Sequence, residues 1–300
     1  MEKITHSKEI QSWIDACEAD FEGRLNDLAT QILQKENIRL LRLSGPTCSG
    51  KTTLSALLKA RFLKAGKHLH IVSIDDFFYD KDYLHQKAAM EKTQELDYDS
   101  AETIDWAELS RFIQEIFSEQ ESHCPIFSFH EGKRTGYRTV ASREEDVFLF
   151  EGIQAFYPEF TELLKRTEHE SVGIYIMPMR SLEMNGEEVT PNDLRLLRRL
   201  VRDYNFRNSA PEQTLALWAS VRRNEEENIF PYAVEAEYRI DSTMPYELGV
   251  LKPYLEKILP SVSADSPYWN TAEEILRQIK DISPIPSTMI SEGSIYPEFI

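Results

Sequence analysis

Two glycines, a lysine and a hydroxyl stand at fixed spacing in Gly45-Pro46-Thr47-Cys48-Ser49-Gly50-Lys51-Thr52, which meets the pattern GxxxxGK[ST]. Glycines let a backbone curl until its N–H groups face one point, and a helix starting there turns its positive end to the same point. Such a loop cradles phosphates. Lys51 has the length to reach β- and γ-phosphates, and the Thr52 hydroxyl is a candidate magnesium ligand. Gly45 to Thr53 is therefore the expected ATP-binding segment. Cys48 inside it has two readings, a redox-sensitive thiol at a helix N-terminus or a small loop filler. No resolving cysteine lies nearby in sequence, which favours the filler.

Carboxylates follow at two further points. Ser73-Ile74-Asp75-Asp76-Phe77-Phe78 closes a short apolar run and sets Asp75 where a substrate hydroxyl would meet a γ-phosphate. There it would act as general base, orienting the hydroxyl and taking its proton late. Asp76 reads as a helix cap. Val147-Phe148-Leu149-Phe150-Glu151-Gly152 is four apolar residues ending in an acid and a glycine, and Glu151 would hold magnesium directly or through water. A third feature is positive. Arg195, Arg198, Arg199 and Arg202 fall on one helical arc, with Leu197, Leu200 and Val201 opposite and Arg207 just beyond. Arg199 and Arg202 would close over the polyphosphate as a lid and neutralise charge developing in the transition state, and Arg207 would add to nucleotide binding.

The elements that must position these groups follow from periodicity. Apolar residues recur at helical steps between Ile10 and Leu33, including Trp13, Ile14, Phe21, Leu25, Leu28 and Ile32. Strands are expected at 38–43, 70–74, 147–150 and 172–176, and helices at 53–64, 105–117, 193–206, 212–229 and 246–258. Strands alternating with helices predict an α/β fold, a doubly wound, mostly parallel sheet covered on both faces, with its site beyond the strand C-termini. Residues 1–36 form an N-terminal helical segment, 37–260 the P-loop domain with a helical lid near 190–210, and 261–300 a C-terminal helix and tail packing on it.

Composition narrows the chemistry. The formal charge of -17 argues against the broad basic surface that nucleic-acid binding needs. No apolar run is long enough for a membrane span and the first ten residues lack signal-peptide order, so a cytoplasmic location without membrane association is expected. Three widely spaced cysteines, Cys17, Cys48 and Cys124, indicate neither a disulfide framework nor a zinc site. Absence of an NKxD segment argues against a GTPase. Self-association into a homo-oligomer stays open.

Taken together, the 45–53 loop, Ile74-Asp75-Asp76-Phe77-Phe78, Phe150-Glu151-Gly152-Ile153 and Arg199-Leu200-Val201-Arg202-Asp203 resemble the uridine kinase and phosphoribulokinase family of P-loop kinases. Trp218 to Glu226, Tyr246-Glu247-Leu248 and Glu298-Phe299-Ile300 are similar to its bacterial uridine kinase-like nucleoside kinase branch. The resemblance implies that Asp75 is the catalytic aspartate and that Asp99, in Asp97-Tyr98-Asp99-Ser100, holds ribose hydroxyls. It implies that Phe127 and Phe129 line a base pocket and that Arg202 also touches substrate. Without the resemblance, Asp97 and Asp99 read equally as turn formers and the phenylalanines as core. Two positions depart from the family pattern: Gly132 stands where a base-contacting histidine is expected, and Ser209 replaces the second arginine of an RGRD motif. His130 is a nearby substitute or an ordinary surface residue. The expected reaction is transfer of the ATP γ-phosphate, with magnesium, to a small-molecule hydroxyl, first a uridine- or cytidine-like nucleoside at its 5′ position. A sugar phosphate or pantothenate-like acceptor, and a regulatory module without turnover, are the alternatives.

Overall fold

The computed structural model describes residues 2–91, 99–118, 121–184 and 186–300. The chain opens with α1 (Glu2–Leu33) and continues through β1 (Leu40–Ser44), α2 (Lys51–Lys64), β2 (Leu69–Ser73), α3 (Lys81–Glu91) and α4 (Trp106–Ser118). A hairpin follows, β3 (Glu121–Ser128) with β4 (Lys133–Ala141), then β5 (Val147–Glu151), α5 (Pro158–Lys165) and β6 (Ser171–Met177). After a small hairpin, β7 (Leu182–Met184) and β8 (Glu187–Val189), come α6 (Pro191–Arg207), α7 (Pro211–Asn224), β9 (Tyr238–Asp241), α8 (Glu247–Ile258) and α9 (Trp269–Ile279).

The central sheet has strand order β2-β5-β1-β6-β9, and every pair in it is parallel. Parallel strands need crossovers, and the crossover helices bury both faces, so these strands read as unbroken apolar runs. β1 shows the consequence: Leu41 and Leu43 join the core formed with α1, α2, α6, α8 and α9, while Leu40 joins the core under α4 and α5. Phe148 and Phe150 of β5 are fully buried in the second core. Each contributes about 1.5–3 kcal/mol of apolar burial. Register brings the strand ends level, since Glu151 lies beside Leu43 on one side and Ser73 on the other.

Boundaries of the expected strands and of most expected helices hold to within about two residues. The first helix starts at Glu2, eight residues before the apolar periodicity at Ile10, and β9 of the central sheet is absent from the expected strands. The 212–229 helix ends at Asn224 and passes into a π-helical turn, Glu225–Ile229. The β3–β4 hairpin was not foreseen as a pair, because β4 alternates half-buried and exposed positions in a largely polar run and β3 contains Pro125. α1 buries Ile14, Phe21, Leu25, Leu28 and Ile32 in the first core, but Trp13 is 44% exposed. α6 begins at a capping box, in which Thr190 and Asp193 satisfy each other's backbone N–H groups, with Pro191 at its first position. Among the described residues no helix is long and apolar enough to cross a membrane.

Candidate active site

The C-terminal ends of β1, β2 and β5 open on one cleft of about 890 Å³. From β1 the chain must turn at once, and Gly45 sits so close to β6 that a side-chain carbon there would stand 2.1 Å from the Ile176 carbonyl oxygen. Gly50 caps α2 with φ +96°, a left-handed conformation that glycine adopts without cost. Cys48 shares this turn at φ 57° and is only 2% exposed, which accords with a filler. Lys51 is half-buried, and its ammonium donates to the carbonyls of Gly45 (2.8 Å) and Pro46 (3.0 Å). Burial pushes the Lys51 ammonium down, while Glu151, Glu298 and Asp75 act the other way.

At the mouth of β5 the Thr52 hydroxyl donates to Glu151 Oε1 (3.1 Å) and the Ser55 hydroxyl to Oε2 (2.8 Å). Burial raises the Glu151 carboxyl against these donors and Lys51. A hydroxyl and a carboxylate are hard oxygen donors, the set that magnesium takes alongside nucleotide phosphates. Across the cleft Asp75 lies on a 3-10 turn, Ile74–Phe77, and accepts a hydrogen bond from the Gln154 side-chain amide at 3.2 Å. Burial pushes its carboxyl up to about 6, opposed by Gln154 and Lys51. Asp99 also lines the cleft, on a segment pinned where the Tyr157 hydroxyl donates to its carbonyl (2.8 Å). Phe129 and His130 line the cleft too.

A family model described as "Phosphoribulokinase / Uridine kinase family" matches residues 40–247, more than two thirds of the chain. The chain belongs to the phosphoribulokinase / uridine kinase family. A uridine kinase of Schizosaccharomyces pombe is 30% identical over 171 residues, 57% of this chain but only 33% of that protein's length. A uridine kinase of Mycoplasma genitalium is 28% identical over 165 residues, 55% of this chain and 67% of the relative. Among solved structures, phosphoribulokinase from Rhodobacter spheroides superposes with a TM-score of 0.43 at 12% identity, covering 82% of this chain and 100% of that one.

In this member of the family the arginine arc divides, which corrects the expectation of one positive surface. Arg195 and Arg198 are fully buried. Arg195 meets Glu225 in a two-pronged pair, one contact at 2.7 Å, and Arg198 meets Glu247 at 2.8 and 3.1 Å. Both also donate to loop carbonyls, Thr47 O and Cys48 O, at 3.3 Å. They brace the phosphate loop from behind. Arg199 pairs with Asp203 at 3.2 Å and does not line the cleft, contrary to its expected place over the phosphates. Arg202 does line it, beside Thr47, and Arg207 lies there with Asn208. For Arg195 and Arg198 the reason is non-local: the acids that capture them, Glu225 in the π-helical turn and Glu247 on α8, lie 30 and 49 residues away, whereas Arg199 is held by Asp203 of α6 itself.

Phe127 and Phe129 separate as well. With Phe78, Tyr79, Lys81 and Leu84 they line an adjoining apolar pocket of about 220 Å³, and of the two only Phe129 also faces the main cleft. Asp76 is no helix cap. Its carboxylate accepts from Phe127 N (3.3 Å) and Arg138 (2.9 Å), tying the β3–β4 hairpin to the Asp75 turn. Asp97 and Tyr98 lie outside the described residues. Sequence reasoning missed Glu225 and Glu298 as cleft groups, and Gln154 as the buried donor behind Asp75. Glu298 belonged to a recognised closing tripeptide, but nothing local connected it to the loop.

Proposed function

We propose that this chain transfers the γ-phosphoryl group of ATP to the hydroxyl of a small metabolite, first a nucleoside at its 5′ position. Support comes above all from one juxtaposition: the half-buried Asp75 carboxylate lines the cleft that also holds Lys51 and the Thr52–Glu151 pair. Lys51 and the loop N–H groups would bind the phosphates, and Thr52 and Glu151 would hold magnesium. Bound there, the cation would neutralise charge on the phosphate oxygens. Asp75 would orient the acceptor hydroxyl through one carboxylate oxygen while Gln154 occupies the other, then take its proton. Asp99 would accept from the ribose hydroxyls and Phe129 would meet the base. Arg202 would neutralise transferring charge, with Arg207 at the nucleotide.

The family membership and the uridine kinase relatives favour a nucleoside over other acceptors. A sugar phosphate would call for a second free basic cluster. Arg222, the best placed candidate, is engaged by Glu225 and by Glu226 at 2.9 Å. Lys51→Ala should weaken ATP binding and turnover together. Asp99→Ala should raise the nucleoside KM at least tenfold while leaving ATP binding without nucleoside unchanged, measured by steady-state kinetics and calorimetry. An unchanged KM would remove Asp99 from the acceptor site.

A further inference from the structure

The last helical turn of the chain, Tyr296–Glu298, is packed against the phosphate loop. Ile295, Tyr296 and Phe299 are fully buried, and Ile295 lies in contact range of Gly50. The Arg198 guanidinium sits 5.9 Å from the Tyr296 ring centre and 5.3 Å from that of Phe299, and the Asn205 side-chain amide donates to Phe299 O at 3.4 Å. The same buried arginine that braces the loop therefore also fixes this segment. Held so, Glu298 directs one carboxylate oxygen at Thr53, accepting its backbone N–H at 3.3 Å and its hydroxyl at 3.0 Å. Thr53 is in the first turn of α2, where an N–H has no partner within the helix. Glu298 lines the cleft together with Lys51.

Those two donors stand directly after Lys51 and Thr52, where a P-loop presents N–H groups to the α- and β-phosphates. A carboxylate and a phosphate cannot both take them, and two anions at that distance repel. Resting on the nucleotide-binding reading above, we propose that Glu298 is a built-in competitor for nucleotide: its carboxylate occupies a phosphate position and swings out when a nucleoside triphosphate enters. The tail then sets the affinity threshold of the site. Two signs of effect distinguish this from a merely structural cap. Removing Glu298 costs the protein a cap, yet it frees the phosphate donors.

The test is calorimetric titration of ATP, with and without magnesium, into the full chain and its Glu298→Gln and Glu298→Ala variants, with melting temperatures of each protein alone. Glu298→Gln keeps the size of the side chain and the buried neighbours, so it guards against loss of fold. Both variants should bind ATP about tenfold more tightly, ~1.4 kcal/mol, and Glu298→Ala should melt lower than the parent chain. Parent and variants binding ATP equally would overturn the competitor while leaving the kinase reading intact. Weaker binding in the variants, with magnesium or without it, would overturn it as well and make Glu298 a ligand-side group. No ATP binding by any of the three proteins would overturn both readings.

Discussion

Asp75 carries two demands that oppose each other. As the proposed base it would have to be ionised to accept a proton, yet its half-buried setting, through desolvation, has raised its carboxyl from 3.8 to about 6. Activity should therefore fall as pH drops through about 6. A pH profile of kcat/KM is expected to show an acid limb there, and a flat profile down to pH 4.5 would contradict the role. Stability runs the other way. The folded carboxyl titrates above the unfolded one, so the stabilisation is full below about pH 4 and lost as pH rises towards 6. A rise of about two units corresponds to ~3 kcal/mol. Asp75→Asn should therefore be more stable than the parent by up to that amount at pH 8 and equal to it near pH 4, by thermal melts. It should also bind ATP normally while losing turnover at least a hundredfold. Gln154 is the neutral donor that holds this carboxylate, and no local signal distinguishes it from any other glutamine after a strand.

At the scale of elements, the phosphate loop depends on backbone approach and on buried charge behind it. Gly45→Ala has nowhere to put its methyl group against the Ile176 carbonyl, so it should abolish ATP binding or folding. Arg198 and Glu247 are both wholly buried, and removing one partner leaves the other uncompensated. Glu247→Ala should cost about 3–5 kcal/mol by denaturant unfolding. A loss under 1 kcal/mol would mean the pair is dispensable. These features mark what could be read in advance and what could not. The loop, the sheet strands other than the four-residue β9, and the helical period of α6 are local patterns, legible in a stretch of ten residues. Which arginine meets water and which meets Glu225 or Glu247 depends on contacts 30 and 49 residues away, and helical angle alone gave all four the same face.

Across the whole molecule, α1 is stitched into the same core as α2 and β9 rather than standing apart. Leu25→Ala should lower stability by about 2–5 kcal/mol, and the chain should still unfold in one transition. A separate early melt of α1 would contradict that packing. With a net charge of -17, any polyanion the molecule takes up has to be met by local donors, and the loop, Lys51 and Arg202 gather such donors in one cleft. The central claim is phosphoryl transfer governed by Asp75. Its most direct test is coupled detection of ADP release with ATP and magnesium, over ribonucleosides, deoxyribonucleosides, ribulose 5-phosphate and pantothenate. Turnover on uridine or cytidine that disappears in Asp75→Asn is the predicted result; intact ATP binding with no turnover on any hydroxyl of the panel, or full turnover in Asp75→Asn, would contradict it.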